Sequence, residues 1–448
     1  MKRIRPAPLA IAGGVLAAVS IALRVNNAFR YPSNMGFDAK FNWLYIQQLM
    51  DSWALPAPDA GWATAHPPLF YYMGAALGRA LGHPGMDSMF VAIRLLSTAI
   101  GLAAVALTVL LVRRVDPDNP RRALLAGALL LFLPVHIYMS AMLNEEILAA
   151  SLTSLAVIGV CFAFLRPGGP RQELLRALGI GLAAGLALLT KLSGALVVLA
   201  AVGAYAVRGW RRRESLPAAS HIAVILGITA LVGGWYYARN QIQYGYLYPQ
   251  DLSTHEVMFT MPPGERGIAD YLRVPLATWT DPQLLAPGLL TSVWGSTYVT
   301  IWFDGHRFFL PKSGAAVRWT GTGILLLALL PTMAFVIGLV RGVRRAVRSA
   351  GTPDTPLVLL AGLTLAGYVL FTWRNPWFAA VKGSYLLGLS VPFSFYASEV
   401  LADWTRGRSV RSRLVWATLG LLALAVAASF TYGPVFAKSG EFPGLEWR

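Results

Sequence analysis

The sequence predicts an all-α polytopic membrane protein, a single integral domain over 1–448 with about eleven transmembrane helices. Three observations predict it. Of 448 residues, 56% are hydrophobic and only 13% charged, with a mean hydropathy of +0.54, a balance foreign to a water-soluble fold. Apolar runs of roughly 17 to 25 residues recur from end to end, each long enough to cross a hydrocarbon core of about 30 Å as a helix. Lys and Arg gather in six short segments between those runs, at 1–6, 113–122, 166–176, 208–219, 341–354 and 403–413.

The net charge of +17 could belong to a nucleic-acid binder, but its distribution excludes that reading. Basic residues confined to alternate loops are the positive-inside pattern, so those loops and the N-terminus are expected in the cytoplasm of a bacterial-type inner membrane. Acidic and aromatic loops then fall outside. Cys161 is the one cysteine and lies within an apolar run, which rules out an intrachain disulfide and a cysteine zinc cluster.

Span 1 covers 7–23. The preceding Lys2-Arg3-Ile4-Arg5 resembles a secretory leader but lacks a convincing cleavage site, so an uncleaved helix is expected. The external segment 24–88 follows. Within it, 38–50 has helical spacing that puts Asp38, Asn42 and Tyr45 on one face, as an interfacial helix. The piece 67–81 is too short to cross, and reading it as a span would invert the charge pattern; it is expected as a second interfacial or re-entrant helix, with Pro67-Pro68 as its rigid start.

Spans 2 (89–112) and 3 (123–141) lead to a turn with Asn144, Glu145 and Glu146, and span 4 ends at 165. Residues 177–207 hold two short spans broken near Thr190-Lys191-Leu192-Ser193-Gly194. Basic segments flank the pair, so the break faces the compartment of Asp38. Gly179, Gly181 and Gly185 imitate a dinucleotide loop but sit inside a span with no preceding strand, and read as helix-packing contacts. Span 7 (220–237) opens into a second external segment, 238–317, rich in Pro, Trp and Tyr and long enough to fold back as a lid. Spans at 318–340, 355–373, 379–401 and 414–432 complete the bundle, with the tail 433–448 outside.

The polar motifs follow a recognisable order. They are Phe37-Asp38-Ala39, Ala65-His66-Pro67-Pro68-Leu69-Phe70-Tyr71-Tyr72, Leu143-Asn144-Glu145, Ala187-Leu188-Leu189-Thr190-Lys191, Gly234-Trp235-Tyr236-Tyr237-Ala238-Arg239-Asn240 and Lys382-Gly383-Ser384-Tyr385-Leu386-Leu387. In this order they resemble the membrane glycosyltransferases of the GT-C fold, above all bacterial relatives of the protein mannosyltransferases and aminoarabinose transferase. The sequence departs from that pattern in having Ala39 after the first-loop Asp, Asn42 where others carry His, and Ser384 where others carry Arg.

The resemblance implies transfer of a sugar from a polyprenyl-phosphate donor to a glycan, lipid or protein acceptor at the external face, with no nucleic acid involved. Such chemistry needs a base at the attacking hydroxyl and positive charge at the departing phosphate. Asp38 is the candidate base for an inverting attack, its alternative being a helix cap. Lys191 is the candidate phosphate ligand, because a lysine amid apolar residues needs a polar cavity or a partner; its alternative is snorkelling. Arg239 and Lys382 are further cations that bind or merely anchor span ends.

Glu145 and Glu146 either cap span 4 or join Asp38 in holding a divalent cation such as Mg or Mn. His66 either meets donor phosphate or fixes a turn. Trp62, Tyr71, Tyr72 and Trp294 either stack on sugar or form the interfacial aromatic belt. The competing function is a transporter or flippase of lipid-linked sugars, which would line several central spans with polar residues rather than gather them at one face.

Overall fold

The computed structural model describes residues 6–433 apart from 34, 250–251, 312–313 and 350. The expectations for the basic start and for the tail fall almost wholly outside the described residues. Those residues are helical, with no strand among them.

The first helix, α1 (Pro6–Arg30), leads to two surface helices, α2 (Ala39–Ser52) and α3 (Leu69–Ala80), which pack on each other. Then come α4 (Met86–Val115), α5 (Pro120–Leu131), α6 (Pro134–Ser140), α7 (Glu146–Leu165), α8 (Pro170–Thr190) and α9 (Gly194–Arg212). The next span is α10 (Ser215–Thr229), continued through a π-helical turn, Ala230–Gly234, into α11 (Trp235–Tyr244). Four short helices follow: α12 (Glu256–Phe259), α13 (Ile268–Leu272), α14 (Ala277–Thr280) and α15 (Val293–Trp302). The chain closes with α16 (Ala315–Arg348), α17 (Asp354–Arg374), a 3-10 stretch Gly383–Leu389 running into α18 (Ser390–Trp404), and α19 (Val410–Ser429).

Among the described residues, nine helices are long and apolar enough to cross a membrane, ten if α5 and α6 form one bent span. Helix α9, with 19 residues, is the eleventh member of the bundle, its basic last turn lowering its hydropathy. The pair α8 and α9 is not short, as expected, but two full helices, since Pro170 at the first helical position lets α8 start inside the basic loop.

Span 3 is a correction: instead of one helix over 123–141, α5 and α6 meet at 51°. Pro134 cannot donate an N–H and its ring clashes with the preceding turn, so carbonyls around the break lose their helical partners. Such groups are costly in a membrane. Arg24 of α1, 1% exposed, takes them up, donating to Leu131 O at 3.2 Å, His136 O at 2.8 Å and Ser140 Oγ at 2.6 Å. Ser20 adds a bond to Leu131 O.

Small residues hold α8 against α10. A Cβ on Gly181 or Gly185 would lie 2.9 Å from Ile228 or Val232 Cβ, so the glycines that imitate a dinucleotide loop are packing contacts. Gly179 faces open space. At the first residue of α9, after the three-residue turn from α8, a Cβ on Gly194 would come within 2.4 Å of Ala187 backbone, so no larger residue fits there. That turn, the start of α7 and the start of the 3-10 stretch meet at one end of the bundle. Arg345, Asp354, Glu399 and Arg122 pair at the other.

Candidate active site

Asp38 follows Gly36, whose φ of 121 suits glycine alone, and itself takes the left-handed conformation at φ 53, which Asp tolerates better than most residues. It occupies the N-cap position of α2 without any side-chain cap bond, so the capping alternative fails. Its Oδ1 instead accepts a hydrogen bond from Trp62 Nε1 at 3.1 Å. Oδ2 has no protein partner among the described residues. The Trp62 ring stacks on Phe41 one turn into α2, centroids 5.2 Å apart. His255, from the second external segment, meets Trp62 from another side, its Nε2 2.9 Å from Trp62 O.

Asn42 and Tyr45 lie beneath Asp38 and are buried. Asn42 donates to Leu143 O at 2.8 Å and accepts from Tyr71 OH at 2.9 Å, so both ends of its amide are engaged. Tyr45 stacks on Tyr71 at 4.1 Å. These three residues lock α2 to α3 and to the turn before α7. Burial, then Glu145, holds the Tyr71 phenol well above its ordinary range, which keeps it a donor to Asn42.

Glu145 and Glu146 do not cap α7: no side-chain cap bond runs from Glu145, and Asn144 Oδ1 takes the N–H of Glu146 at 3.0 Å instead. Both carboxylates turn to Lys191, whose Nζ lies 2.6 Å from Glu146 Oε1 and 3.3 Å from Glu145 Oε1. His66 Nδ1 faces Glu145 Oε1 at 3.8 Å. Burial alone would raise the Glu145 carboxyl, but Lys191 and His66 outweigh it and hold it well below the usual carboxylate range. Burial likewise opposes the Lys191 ammonium, and Glu146 and Glu145 reverse the effect and raise it. The pair is therefore charged on both sides at neutral pH.

Lys382 stands differently. Its Nζ lies over the Phe37 ring at 4.3 Å and beside the Tyr385 ring at 5.7 Å, with no carboxylate at ion-pair distance among the described residues. Phe37 directly precedes Asp38, so the ammonium lies against the residue next to the candidate base. Tyr385 also lies under Lys191, at 4.8 Å, and Ser384 Oγ reaches Glu146 Oε1 at 3.4 Å. A small gap of about 30 Å³ lies beside Glu146 between α7, α9 and α17, lined by Ala149, Thr153, Leu196, Leu360, Ser384 and Tyr385.

Other expected residues lie apart from this centre. Arg239 grips the chain at Leu55 and Pro56, donating to their carbonyls at 3.3 and 2.9 Å. Trp294, half-buried in α15, packs on Tyr368 at 6.1 Å. Helix α15 is itself a core element: Tyr138 OH donates to Thr300 O, and Thr300 Oγ1 accepts from Gly383 N at 2.8 Å. Sequence reasoning missed His306, whose ring stands edge-on to Phe37 at 5.1 Å. Burial, reinforced by Lys382, pushes it down to about 3, leaving it neutral. No spacing signal marked it, because it reaches Phe37 only through the fold.

Asp38 and Glu145 are the residues expected to hold a divalent cation. Lys191 already supplies the positive charge to Glu145 and Glu146, and no group of three or more His, Cys, Asp or Glu among the described residues is placed to share an ion.

Comparison with known proteins agrees with this architecture. Residues 65–237 match the family of dolichyl-phosphate-mannose-protein mannosyltransferases. No curated protein matches by sequence. The fold is similar to that of the Archaeoglobus fulgidus oligosaccharyltransferase. In its complex with Zn and sulfate, the TM-score is 0.55 at 17% identity, covering 94% of this chain and 53% of that one. With an inhibitory peptide and dolichol-phosphate it is 0.52 at 16%, covering 95% and 56%. It is also similar to ArnT from Cupriavidus metallidurans bound to undecaprenyl phosphate, with a TM-score of 0.54 at 14% identity, covering 93% and 75%. The chain thus spans a little over half the length of the oligosaccharyltransferase and three quarters of ArnT. Among the described residues, the long apolar helices, the two surface helices after the first of them and the likeness to these neighbours agree with the GT-C-like fold expected from the sequence.

Proposed function

We propose that the protein is a glycosyltransferase that moves a sugar from a polyprenyl-phosphate donor to a glycan, lipid or protein hydroxyl on the external side of the cytoplasmic membrane. The observation that carries this reading is Asp38 beside Lys382: a carboxylate freed of capping, with one oxygen fixed by Trp62, next to an ammonium without a carboxylate partner. Asp38 takes the proton of the acceptor hydroxyl as its oxygen attacks the anomeric carbon. The bond from that carbon to the phosphate oxygen breaks, and configuration inverts. Lys382 receives the departing phosphate, a role for which Lys191 would first have to leave its two glutamates. His66 offers a further contact to the donor headgroup. The grouping of these residues at one end of the bundle favours transfer over transport of the lipid-linked sugar.

The test is transfer of radiolabelled sugar from a panel of synthetic polyprenyl-phosphate monosaccharides in vesicles. Wild-type protein should consume one donor in the presence of acceptor and Asp38→Asn should not. Equal consumption by both would remove Asp38 from the chemistry. Passage of donor across the bilayer without cleavage would establish the transporter instead.

A further inference from the structure

At the end of the bundle opposite Asp38 lies a second cavity, of about 680 Å³. It forms where the starts of α1 and α5 meet the turn between α18 and α19. Arg121, Arg408 and Arg413 line it together with Leu9, Ser412 and Trp416, and no carboxylate does. The neighbouring Asp403 is already paired with Arg341 at 2.9 Å and Arg406 at 3.2 Å.

The three guanidiniums are short of partners. Arg121 Nη1 donates to Thr405 O at 2.7 Å, while its Nε is buried without an acceptor. The side chains of Arg408 and Arg413 make no hydrogen bond or ion pair to the described residues. The turn is built rather than loose: Gly407 takes φ 78, and Ser412 Oγ ties the carbonyls of Thr405 and Gly407 at 3.1 and 3.3 Å. Three like charges converging on one concavity repel one another unless an anion joins them. Leu9 and the exposed indole of Trp416 provide an apolar flank on the lipid-facing sides of α1 and α19.

We propose that this cavity binds the phosphate of an anionic phospholipid, with the guanidiniums around the phosphodiester and the first acyl carbons against Leu9 and Trp416. Basic pockets between helices at this membrane face are suited to such headgroups, and guanidinium matches phosphate oxygens in paired hydrogen bonds. The site is independent of the transfer chemistry at the other end.

Native mass spectrometry of the full-length protein in detergent, titrated with phosphatidylglycerol, cardiolipin or phosphatidylcholine, tests it. Wild type should retain phosphatidylglycerol or cardiolipin over phosphatidylcholine. The double variant Arg408→Gln/Arg413→Gln should lose roughly 30-fold in affinity, two charges each contributing about 1 kcal/mol. A control, Arg344→Gln/Arg348→Gln, removes equal charge from the same end and should leave retention unchanged. Equal loss in both variants would reduce the effect to general surface charge. Indifference to headgroup, or competition by inorganic phosphate at millimolar concentration, would overturn the assignment to a lipid.

Discussion

Trp62 donates its indole N–H to Oδ1 of Asp38 at 3.1 Å, across 24 residues of the same external segment. This bond aims a carboxylate that its backbone conformation has already turned away from capping. If Asp38 is the base, Asp38→Asn should lower kcat by about 10²- to 10⁴-fold with donor binding preserved. Trp62→Phe keeps the stacking on Phe41 but loses the bond, and should lower kcat by roughly tenfold with little change in KM. Steady-state kinetics with one donor separate the two effects.

The two lysines should fail in different ways. Lys382→Met should weaken donor binding and slow transfer while thermal stability stays near wild type, and Lys382→Arg should restore part of the binding. Lys191→Met leaves Glu145 and Glu146 buried without their cation and should cost about 3 kcal/mol of stability. Thermal unfolding in detergent beside a donor-binding assay distinguishes them.

The same ion pair has a defined pH dependence. Glu145 has its carboxyl depressed below the ordinary 4.5, so its stabilisation is present above that value and is lost as pH falls through the folded pKa. Lys191 is raised above 10.5, so its share is present below that value and is lost as pH rises through its folded pKa. The contribution of this pair to the wild type should therefore be constant from about pH 5 to 9, while in Lys191→Met burial raises the orphaned carboxyls, so the stability gap between the two should narrow as the pH falls toward 4.5 and further below it. A gap that widened on acidification would contradict this assignment.

Asn42 should act on stability and positioning rather than on the chemistry itself. Asn42→Ala removes the partner of both Leu143 O and Tyr71 OH and should cost about 1 to 3 kcal/mol. The milder Tyr71→Phe should lose less. In both, the pH profile of residual activity should match wild type, whereas loss of a proton-transferring group would alter it.

Transfer should also persist in the presence of a chelator, since Lys191 already neutralises the two glutamates that a metal would use. Loss of activity in EDTA, restored by Mg or Mn, would show that Lys191 can be displaced.

Much of this was legible in the sequence because membranes impose strict rules on length and charge. The bundle, the surface helices after α1, the rigid Pro67-Pro68 start and the shared face of Asn42 and Tyr45 all follow from spacing. The bend at Pro134 was hidden because apolar residues continue on both sides of it. The sequence predicts span 1 over 7–23; the helix continues to Arg30, and Arg24 finds its acceptors inward. The union of Lys191 with Glu145 and Glu146 depends on helices that no local pattern places side by side. The candidate base was visible from its motif, but the choice of cation was not: the sequence favours Lys191 over Lys382, and only the fold shows Lys191 paired with Glu145 and Glu146.

Arg24 also bears on how the protein is made. Its acceptors lie 107 to 116 residues further along the chain. At ordinary rates of synthesis they emerge roughly 5 to 20 seconds after it does. During that interval the first helix carries a charge that its final surroundings will satisfy and the lipid will not. Nascent α1 must therefore wait at the interface or in the insertion machinery until α5 and α6 arrive, so this helix enters the bilayer as part of an assembly rather than as an independent anchor.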